Sequence, residues 1–139
     1  MIRYKKLNDY SKYKIIYDSV YDDGKSLYNW NVIKPALLNK SFKLYSILED
    51  DMIIGTCGFS GKDHNDVTIY ELMIHEDYQG MGYGSRVLNY TLSQIKRLKS
   101  RPELILAYTN ELDFFESNEF YILERNDSAI EKYTMYTLI

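Results

Sequence analysis

Three glycines at alternate positions separate two segments of very different character in the middle of this chain. Residues 79–85 read Gln-Gly-Met-Gly-Tyr-Gly-Ser. They follow residues 67–74, an apolar and β-branched run that predicts a strand. They precede a stretch to about Lys99 in which apolar residues recur every three or four positions, as on a helix with one buried face. The sequence therefore predicts a strand, a glycine turn and a helix in direct succession.

A glycine turn at the start of a helix favours an anion. The first main-chain N–H groups of a helix have no partner inside it, and the helix dipole adds partial positive charge there. Glycine adopts positive φ without a steric penalty and lets a ligand approach the main chain closely. The turn is therefore predicted to hold phosphate, with the hydroxyl of Ser85 as an additional donor.

Two familiar phosphate-binding loops do not match this turn. A nucleotide P-loop requires a Lys after its last glycine, and none follows here. A dinucleotide fingerprint requires the spacing G-x-G-x-x-G and an acidic residue at the end of the next strand. The spacing here is G-x-G-x-G, and Glu103 begins the next predicted strand. An ordinary helix-start turn is the remaining alternative, and the agreement of strand, loop and helix argues against it.

The rest of the chain predicts a mixed α/β fold. Before the glycine turn we expect a strand, a helix capped by Asn8 or Asp9, and a second short helix with Pro35 in an early turn or at a break. A strand hairpin follows, and then a polar loop at residues 61–66 that carries His64. After it we expect a strand, a short helix and two final strands. The chain has 139 residues and no visible linker or repeat, so residues 1–139 are predicted to form a single domain.

Charge and cysteine content limit the partners that this chain is expected to have. The formal net charge of −3 makes it a poor candidate for binding nucleic acid. No run of about 18 apolar residues is present, so no membrane span is expected. The single cysteine, Cys57, lies in an apolar run and is predicted to be structural, which fits a cytoplasmic location. No Cys/His cluster has metal-ligand spacing, so no metal is predicted.

The turn at residues 79–84 resembles the Q/R-x-x-G-x-G/A turn of the GNAT superfamily of acyl-CoA N-acyltransferases. Other parts of the chain are similar to that family in the same order: the lead-in at 71–78, Asn110 with residues 114–120 as its N…F-Y-x-x-x-G-F segment, and residues 133–139 as its closing strand. The resemblance covers residues 42–139 well and residues 1–41 only by the order of elements.

The resemblance implies a GNAT-like α/β fold: a mixed, mostly antiparallel central sheet flanked by helices, whose middle strands splay to bind acyl-CoA. The pantetheine arm would pair with the main chain of Met73 and Ile74, and Asn110 is expected to bond this arm, to cap the next helix, or both. The pyrophosphate would lie on the loop, which is formed by Gln79, Gly80, Met81, Gly82, Tyr83, Gly84 and Ser85. Small members of the family are often dimers, so the resemblance leaves a homodimer open.

The activity that the resemblance implies is transfer of an acetyl group from acetyl-CoA to a primary amine of a small molecule or peptide, by direct attack. Glu71 is the first candidate for the base, because partial burial would raise its pKa towards a useful value. The alternative is that Glu71 only faces solvent on its strand. His75 is a second candidate, although a solvated position in the turn is the more ordinary place for it.

Two positions depart from the family's pattern. Phe115, expected beside the cofactor, stands where a Tyr often protonates the leaving thiolate, and Phe has no proton to give. Tyr108, Tyr121 or water would then supply the proton. Glu119 stands where the family usually has a left-handed Gly, and Asn118 is expected to adopt that conformation instead. A non-catalytic acyl-CoA-binding or sensing module therefore stays the alternative function.

Overall fold

In the part of the chain that the structure describes, seven strands form one sheet, with helices on both faces. The computed structural model describes residues 2–39, 42–61, 66–99 and 101–139, so most of the predicted loop at 61–66, with His64, lies outside the described residues. The elements are β1 (Ile2–Lys6), α1 (Tyr10–Val20), α2 (Ser26–Leu38), β2 (Phe42–Glu49), β3 (Met52–Ser60), β4 (Asp66–Ile74), α3 (Tyr83–Lys96), β5 (Leu104–Thr109), α4 (Leu112–Ser117), β6 (Tyr121–Arg125) and β7 (Tyr133–Leu138).

The strand order is β1-β2-β3-β4-β5-β7-β6. Every neighbouring pair is antiparallel except β4 and β5, which run parallel. Parallel neighbours need a crossover connection, and α3 supplies it. The expectation of a mixed, mostly antiparallel sheet flanked by helices is confirmed.

The sheet separates two apolar cores. On one face α1 and α2 pack over β2, β3 and β4, around Tyr13 and Trp30. On the other face α3 packs over β3 and β4, and its buried side chains join Phe115 of α4. None of the described helices is both long enough and apolar enough to cross a bilayer.

The helix ends match the sequence in part. The Asp9 side chain caps α1 by accepting from the Ser11 N–H at 2.9 Å, as predicted. Pro35 lies neither in an early turn nor at a break, because α2 continues from Ser26 to Leu38 with Pro35 in its last turn, at the loss of the one main-chain bond that its N–H would have made. α3 ends at Lys96, before the expected Lys99, since the next residues form tighter i→i+3 bonds.

The end of α4 is a left-handed turn that the sequence places one residue too early. Glu119, not Asn118, has the positive φ of 67°. The Phe120 N–H donates to the Phe115 carbonyl at 3.0 Å, and the Glu119 N–H donates to Glu116 at 3.1 Å. These two bonds form a Schellman motif, which fixes the left-handed position at residue 119.

Glu119→Gly is expected to stabilise the protein. Glycine removes the clash between Cβ and carbonyl that a left-handed residue suffers, so the free energy of unfolding should rise by about 1 kcal/mol and the melting temperature by about 3–5 °C. Chemical denaturation and calorimetry measure both. The matched control is Glu116→Gly in the helix, which should destabilise by about 1 kcal/mol. If Glu119→Gly and Glu116→Gly changed the free energy of unfolding in the same direction, residue 119 would not be the left-handed position.

Candidate functional site

A gap opens between the two parallel strands in the middle of the sheet. β4 and β5 pair from Asp66–Leu104 to Ile69–Ala107. Beyond that point β4 continues to Ile74, and no residue of β5 in the described chain pairs with it. The main-chain groups on this edge of β4 are therefore without a neighbouring strand in the described chain, and the space that they face beyond Ile69 and Ala107 is called the groove below.

A β-bulge at Glu71 accompanies the gap. Pairing of β4 with β3 shifts between Thr56 and Gly58, and Glu71 has a φ of 56°. The Thr56 hydroxyl fixes the bulge by donating to the Glu71 carbonyl at 2.7 Å. A bulge inserts one residue and bends the strand away from regular pairing.

The bulge also inverts the alternation of side chains along β4. Before it, Val67 and Ile69 pack into the core beneath α3. After it, Met73 packs into the core beneath α1 and α2, although an unbroken strand would keep odd-numbered residues on one face. Glu71 itself is directed to α1, where its carboxylate meets Tyr13.

The main-chain groups that face the gap follow from the same register. The His75 N–H donates to the Ile54 carbonyl at 2.7 Å, and hydrogen-bonded pairs alternate along an antiparallel ladder. Met73, paired with Thr56, therefore directs its main chain to β3. Of the two residues predicted to bind the cofactor, only Ile74 faces the gap, and Leu72, which sequence reasoning missed, faces it too.

Gln79 joins the glycine loop to the strand. Its side-chain Nε2 donates to the Ile74 carbonyl at 2.9 Å, and its main-chain N–H lies 3.4 Å from the carbonyl of Glu76. The Gln79 amide is therefore directed into the preceding 3₁₀ turn (Glu76–Tyr78) and not to a ligand. The outward-facing amides of the loop begin at Gly80.

The three glycines of the loop serve two different purposes. Gly80 and Gly82 have φ of 76° and 83°, and a Cβ on either would meet no atom within 4 Å. Their conformation requires glycine, and the space above them is open. A Cβ on Gly84 would lie 3.1 Å from the Phe114 ring, so this glycine allows close packing of α3 against α4.

The start of α3 presents unpaired amides beside that open space. The first main-chain bond into the helix is from the Arg86 N–H to the Gly82 carbonyl at 3.3 Å. The amides of Tyr83, Gly84 and Ser85 precede this donor, so the helix does not use them. The Ser85 hydroxyl accepts a bond from the Asn118 side chain at 3.2 Å, which leaves its proton for a ligand.

The two remaining loop side chains lie outside this set of amides. Met81 is exposed. Tyr83 packs edge-on against Tyr78 with ring centroids 5.9 Å apart, and Arg86 lies 5.8 Å from the same ring. Met81 and Tyr83 therefore contribute main-chain groups to the loop, while the Tyr83 ring packs against Tyr78 and Arg86.

Glu71 is the titratable group at the bulge. Its Oε2 accepts a bond from the Tyr13 hydroxyl at 2.9 Å. Burial raises the pKa of Glu71, the bond from Tyr13 lowers it, and the charge of Glu131 raises it, and the net pKa lies above its ordinary value. Glu71 is not simply a solvent-facing strand residue.

Further carboxylates act on Tyr21, the α1 residue that also feels the charge of Glu71. Burial raises the pKa of Tyr21, and the charges of Glu71, Glu131, Glu111 and Asp23 raise it further. These acidic residues come from four parts of the chain and act on one tyrosine. The region beside Glu71 is therefore negatively charged.

Asn110 holds the loop that carries Glu131. Its Nδ2 donates to the Ile130 carbonyl at 2.8 Å, and its Oδ1 accepts from the Lys132 N–H at 2.9 Å. The predicted helix cap is wrong, because Glu111 occupies the cap position of α4 and the Asn110 side chain forms hydrogen bonds with the loop instead. A bond from Asn110 to a pantetheine arm stays a prediction.

The aromatic and histidine candidates lie in different surroundings. Phe115 is 5% exposed in the core, with its ring edge-on to Phe120, so a contact with a cofactor stays a prediction that its burial does not favour. Tyr108 and Tyr121 are both exposed, Tyr108 directly after the last β5 residue paired with β4. His75 accepts from the Asp77 N–H at 3.1 Å and so caps the 3₁₀ turn.

Tyr13 and Thr56 are the polar contacts of Glu71 that sequence reasoning missed. Both lie far from Glu71 along the chain, and neither belongs to a motif. Cys57, opposite the bulge, is buried, and burial raises its pKa to about 12, which fits a structural thiol. Across the part of the chain that the structure describes, no three His, Cys, Asp or Glu side chains are placed to hold a metal ion.

Comparison with known proteins gives one family. The model of the acetyltransferase (GNAT) family matches residues 7–129. No curated protein sequence matches the chain.

Solved structures of low sequence identity share the fold. A GNAT-family acetyltransferase from Staphylococcus aureus is 16% identical, with 99% of each chain covered and a TM-score of 0.74. The PaiA N-acetyltransferase from Thermoplasma acidophilum, in complex with coenzyme A, is 16% identical over 100% of this chain and 99% of its own, with a TM-score of 0.71. A variant of spermidine N-acetyltransferase SpeG from Vibrio cholerae is 11% identical over 99% of this chain and 93% of its own, with a TM-score of 0.75.

Glu71→Gln is expected to make the protein more stable at neutral pH. The folded pKa of Glu71 lies above its unfolded value of 4.5, so the folded state binds the proton more tightly. Stability from this group is complete below pH 4.5 and is lost as the pH rises through the folded pKa. Gln carries no charge, so its advantage over the wild type should be larger at pH 7.5 than at about pH 4.

Urea unfolding at both pH values measures this difference. Glu116→Gln, the same substitution on the exposed face of α4, is the control. A difference between Glu71→Gln and the wild type that is the same at both pH values would contradict the raised pKa.

Proposed function

This chain belongs to the GNAT acetyltransferase family, and from that membership we propose that it transfers the acetyl group of acetyl-CoA to a primary amine of a small molecule or peptide by direct attack. The observation that carries the proposal is the continuity of the site. The groove beside Glu71 runs along the unpaired edge of β4 and ends at the amides of the glycine loop.

The residues of this chain fit acetyl-CoA. The amides of residues 80–85 suit the pyrophosphate, because Gly80 and Gly82 leave open space above the helix start. The main chain of Leu72 and the N–H of Ile74, whose carbonyl already accepts from Gln79 Nε2, suit an extended arm that carries amide groups, as an added strand would. When bound, acetyl-CoA supplies an activated thioester.

Glu71 is the general base of the proposal. An amine acceptor is protonated at neutral pH and must lose a proton before it can attack a carbonyl carbon. The raised pKa of Glu71 makes its carboxylate a better proton acceptor than an exposed one. Tyr13 bonds Oε2, so Oε1 is the oxygen left for the acceptor.

Protonation of the departing thiolate depends less on the protein. A thiol has a pKa of about 8–9, so its anion is a tolerable leaving group without an acid. Phe115 has no proton to give and is buried. Tyr108 is the better placed of the two tyrosine candidates, because it is exposed where β4 and β5 separate, whereas Tyr121 lies on the edge strand β6.

The charge around Glu71 favours a cationic acceptor. Glu131, Glu111 and Asp23 act on the same region as Glu71, and clustered carboxylates raise the local concentration of cations. Spermidine, which the Vibrio cholerae protein is named for, therefore belongs in an acceptor panel beside simple amines and peptides.

The test is mass spectrometry of acetylated products after incubation with acetyl-CoA and a panel of amines, followed by a metabolite extract. Acetylated product supports the enzyme. The absence of a hydroxyl at Phe115 favours a second candidate, a non-catalytic acyl-CoA-binding module. Coenzyme A binding in a thermal-shift titration without any transfer would select that module, and no shift with either acetyl-CoA or CoA would remove both functions.

Gly82→Glu is expected to abolish acetyl-CoA binding, measured by isothermal titration calorimetry. A carboxylate at this position places negative charge and bulk where the phosphates are proposed to lie. Gly24→Glu is a matched control, since Gly24 also has a positive φ, of 68°, and open space around it but lies between α1 and α2. Equal affinity for the two variants would refute the proposed position of the pyrophosphate.

Glu71→Gln is expected to lower kcat by about 10²–10⁴-fold, because the acceptor then loses its base. The dissociation constant for acetyl-CoA should stay within about twofold, since the cofactor is proposed to contact main chain on β4 and not this side chain. Steady-state kinetics and calorimetry give the two values. Retention of wild-type kcat would exclude Glu71 as the base.

A further inference from the structure

The buried side chain of Tyr13 contacts Glu71, which lies 58 positions later in the chain. Its side chain has 0% exposure, and the hydroxyl donates to Glu71 Oε2 at 2.9 Å. The ring is fixed by its neighbours, with centroids 5.4 Å from Trp30 and 5.7 Å from Tyr17. The donor therefore has little freedom to turn away from the carboxylate.

The fold by itself does not require this bond. A phenylalanine ring would fill the same apolar space, and burying a hydroxyl and a carboxylate costs free energy that their mutual bond only partly offsets. The bond is nevertheless the one that the structure gives to the Glu71 carboxylate. A stability argument alone leaves the hydroxyl unexplained.

We infer that Tyr13 is a positioning residue, whose hydroxyl holds Oε2 of Glu71 so that Oε1 is presented to the acceptor amine. The other end of Glu71 is held too, because the Thr56 hydroxyl donates to its carbonyl at 2.7 Å. The base is thus fixed from both its main chain and its carboxylate. This inference rests on the proposed function, since it assigns Tyr13 a role in the same site.

Tyr13 does not itself exchange a proton during the reaction. Burial, the charge of Glu71 and the bond to it all raise the pKa of Tyr13, far above its ordinary value. The hydroxyl stays protonated wherever the protein is folded and acts as a permanent donor. Its effect on chemistry passes through Glu71.

Several titratable groups face Glu71. Tyr13, Tyr17 and Tyr21 come from α1 and Cys57 from β3, and the charge of Glu71 raises the pKa of each. Among the charged groups, Glu131 acts on Glu71 itself, and Asp23 and Glu111 act on the neighbouring Tyr21.

Removal of the Tyr13 hydroxyl takes away the interaction that favours the charged form of Glu71. The bond from Tyr13 lowers the pKa of Glu71, whereas burial and the charge of Glu131 raise it. Without that bond the pKa of Glu71 should rise further, so a higher pH is needed to form the base.

Tyr13→Phe tests the inference through the pH profile of kcat/KM. The acid limb of the profile should move to higher pH. At a fixed pH on that limb, kcat/KM should fall about tenfold for every pH unit by which the limb moves, with a smaller loss on the alkaline plateau. The KM for acetyl-CoA should not change. Titration of the acceptor amine is common to all variants and cancels in the comparison.

Tyr17→Phe is the matched control. Tyr17 lies one turn along α1 and is also buried, but its hydroxyl bonds Asp23 at 3.0 Å instead of Glu71. Its acid limb should stay at the position of the wild type. A Tyr13→Phe limb that stays there too would overturn the inference.

Carboxyl carbon NMR gives a readout that needs no activity. The Glu71 signal, identified by its loss in Glu71→Gln, should titrate at higher pH in Tyr13→Phe than in the wild type. An unchanged midpoint overturns the inference even if no acceptor is found. A wild type that transfers no acetyl group to any amine counts against the proposed function, whereas the NMR midpoint still decides whether Tyr13 controls Glu71.

Discussion

The structure depends on an interruption of hydrogen bonding in the middle of the sheet. β4 and β5 pair only as far as Ile69 and Ala107, and the bulge at Glu71 comes directly after that point. The separation leaves main-chain groups of β4 facing a groove. Because β4 leads straight into the glycine loop, the same strand supplies the wall of the groove and the approach to the amides at its end.

Several features of this region cost stability. Glu71 has a left-handed conformation that suits glycine better, its carboxylate is partly buried, and the amides before Arg86 are not used by their own helix. The cores on the two faces of the sheet offset these costs. An unfavourable backbone conformation, a buried carboxylate and unpaired amides occur together in this region, and such a combination is typical of a functional site.

The sequence predicts the outline of this arrangement well. Strand periodicity, the glycine turn and the following helix are local patterns, and they predict the order of elements and the loop. Glu71 is a candidate from the sequence because it lies on the strand before the loop, where partial burial would raise its pKa. The sequence does not predict that the Met73 main chain faces β3, because a bulge has no clear sequence signal and one extra residue exchanges which main-chain groups face the gap.

Long-range contacts set the remaining limits of prediction. Tyr13 and Glu71 are 58 positions apart, and only the packing of α1 on β4 joins them. Asn110 resembles a helix cap, but its partners belong to the distant loop before β7. Glu119 adopts the left-handed turn because the hydrogen bonds at the end of α4 fix its position, which overrides the preference of Asn118.

The central claim is that the edge of β4 and the glycine loop form one acyl-CoA groove. Proton–nitrogen NMR of the labelled protein during titration with coenzyme A tests it most directly. The account predicts the largest shifts at the amides of Leu72 and Ile74 and of residues 80–85, with little change in α2. Shifts concentrated elsewhere, with these amides unmoved at saturation, would contradict it.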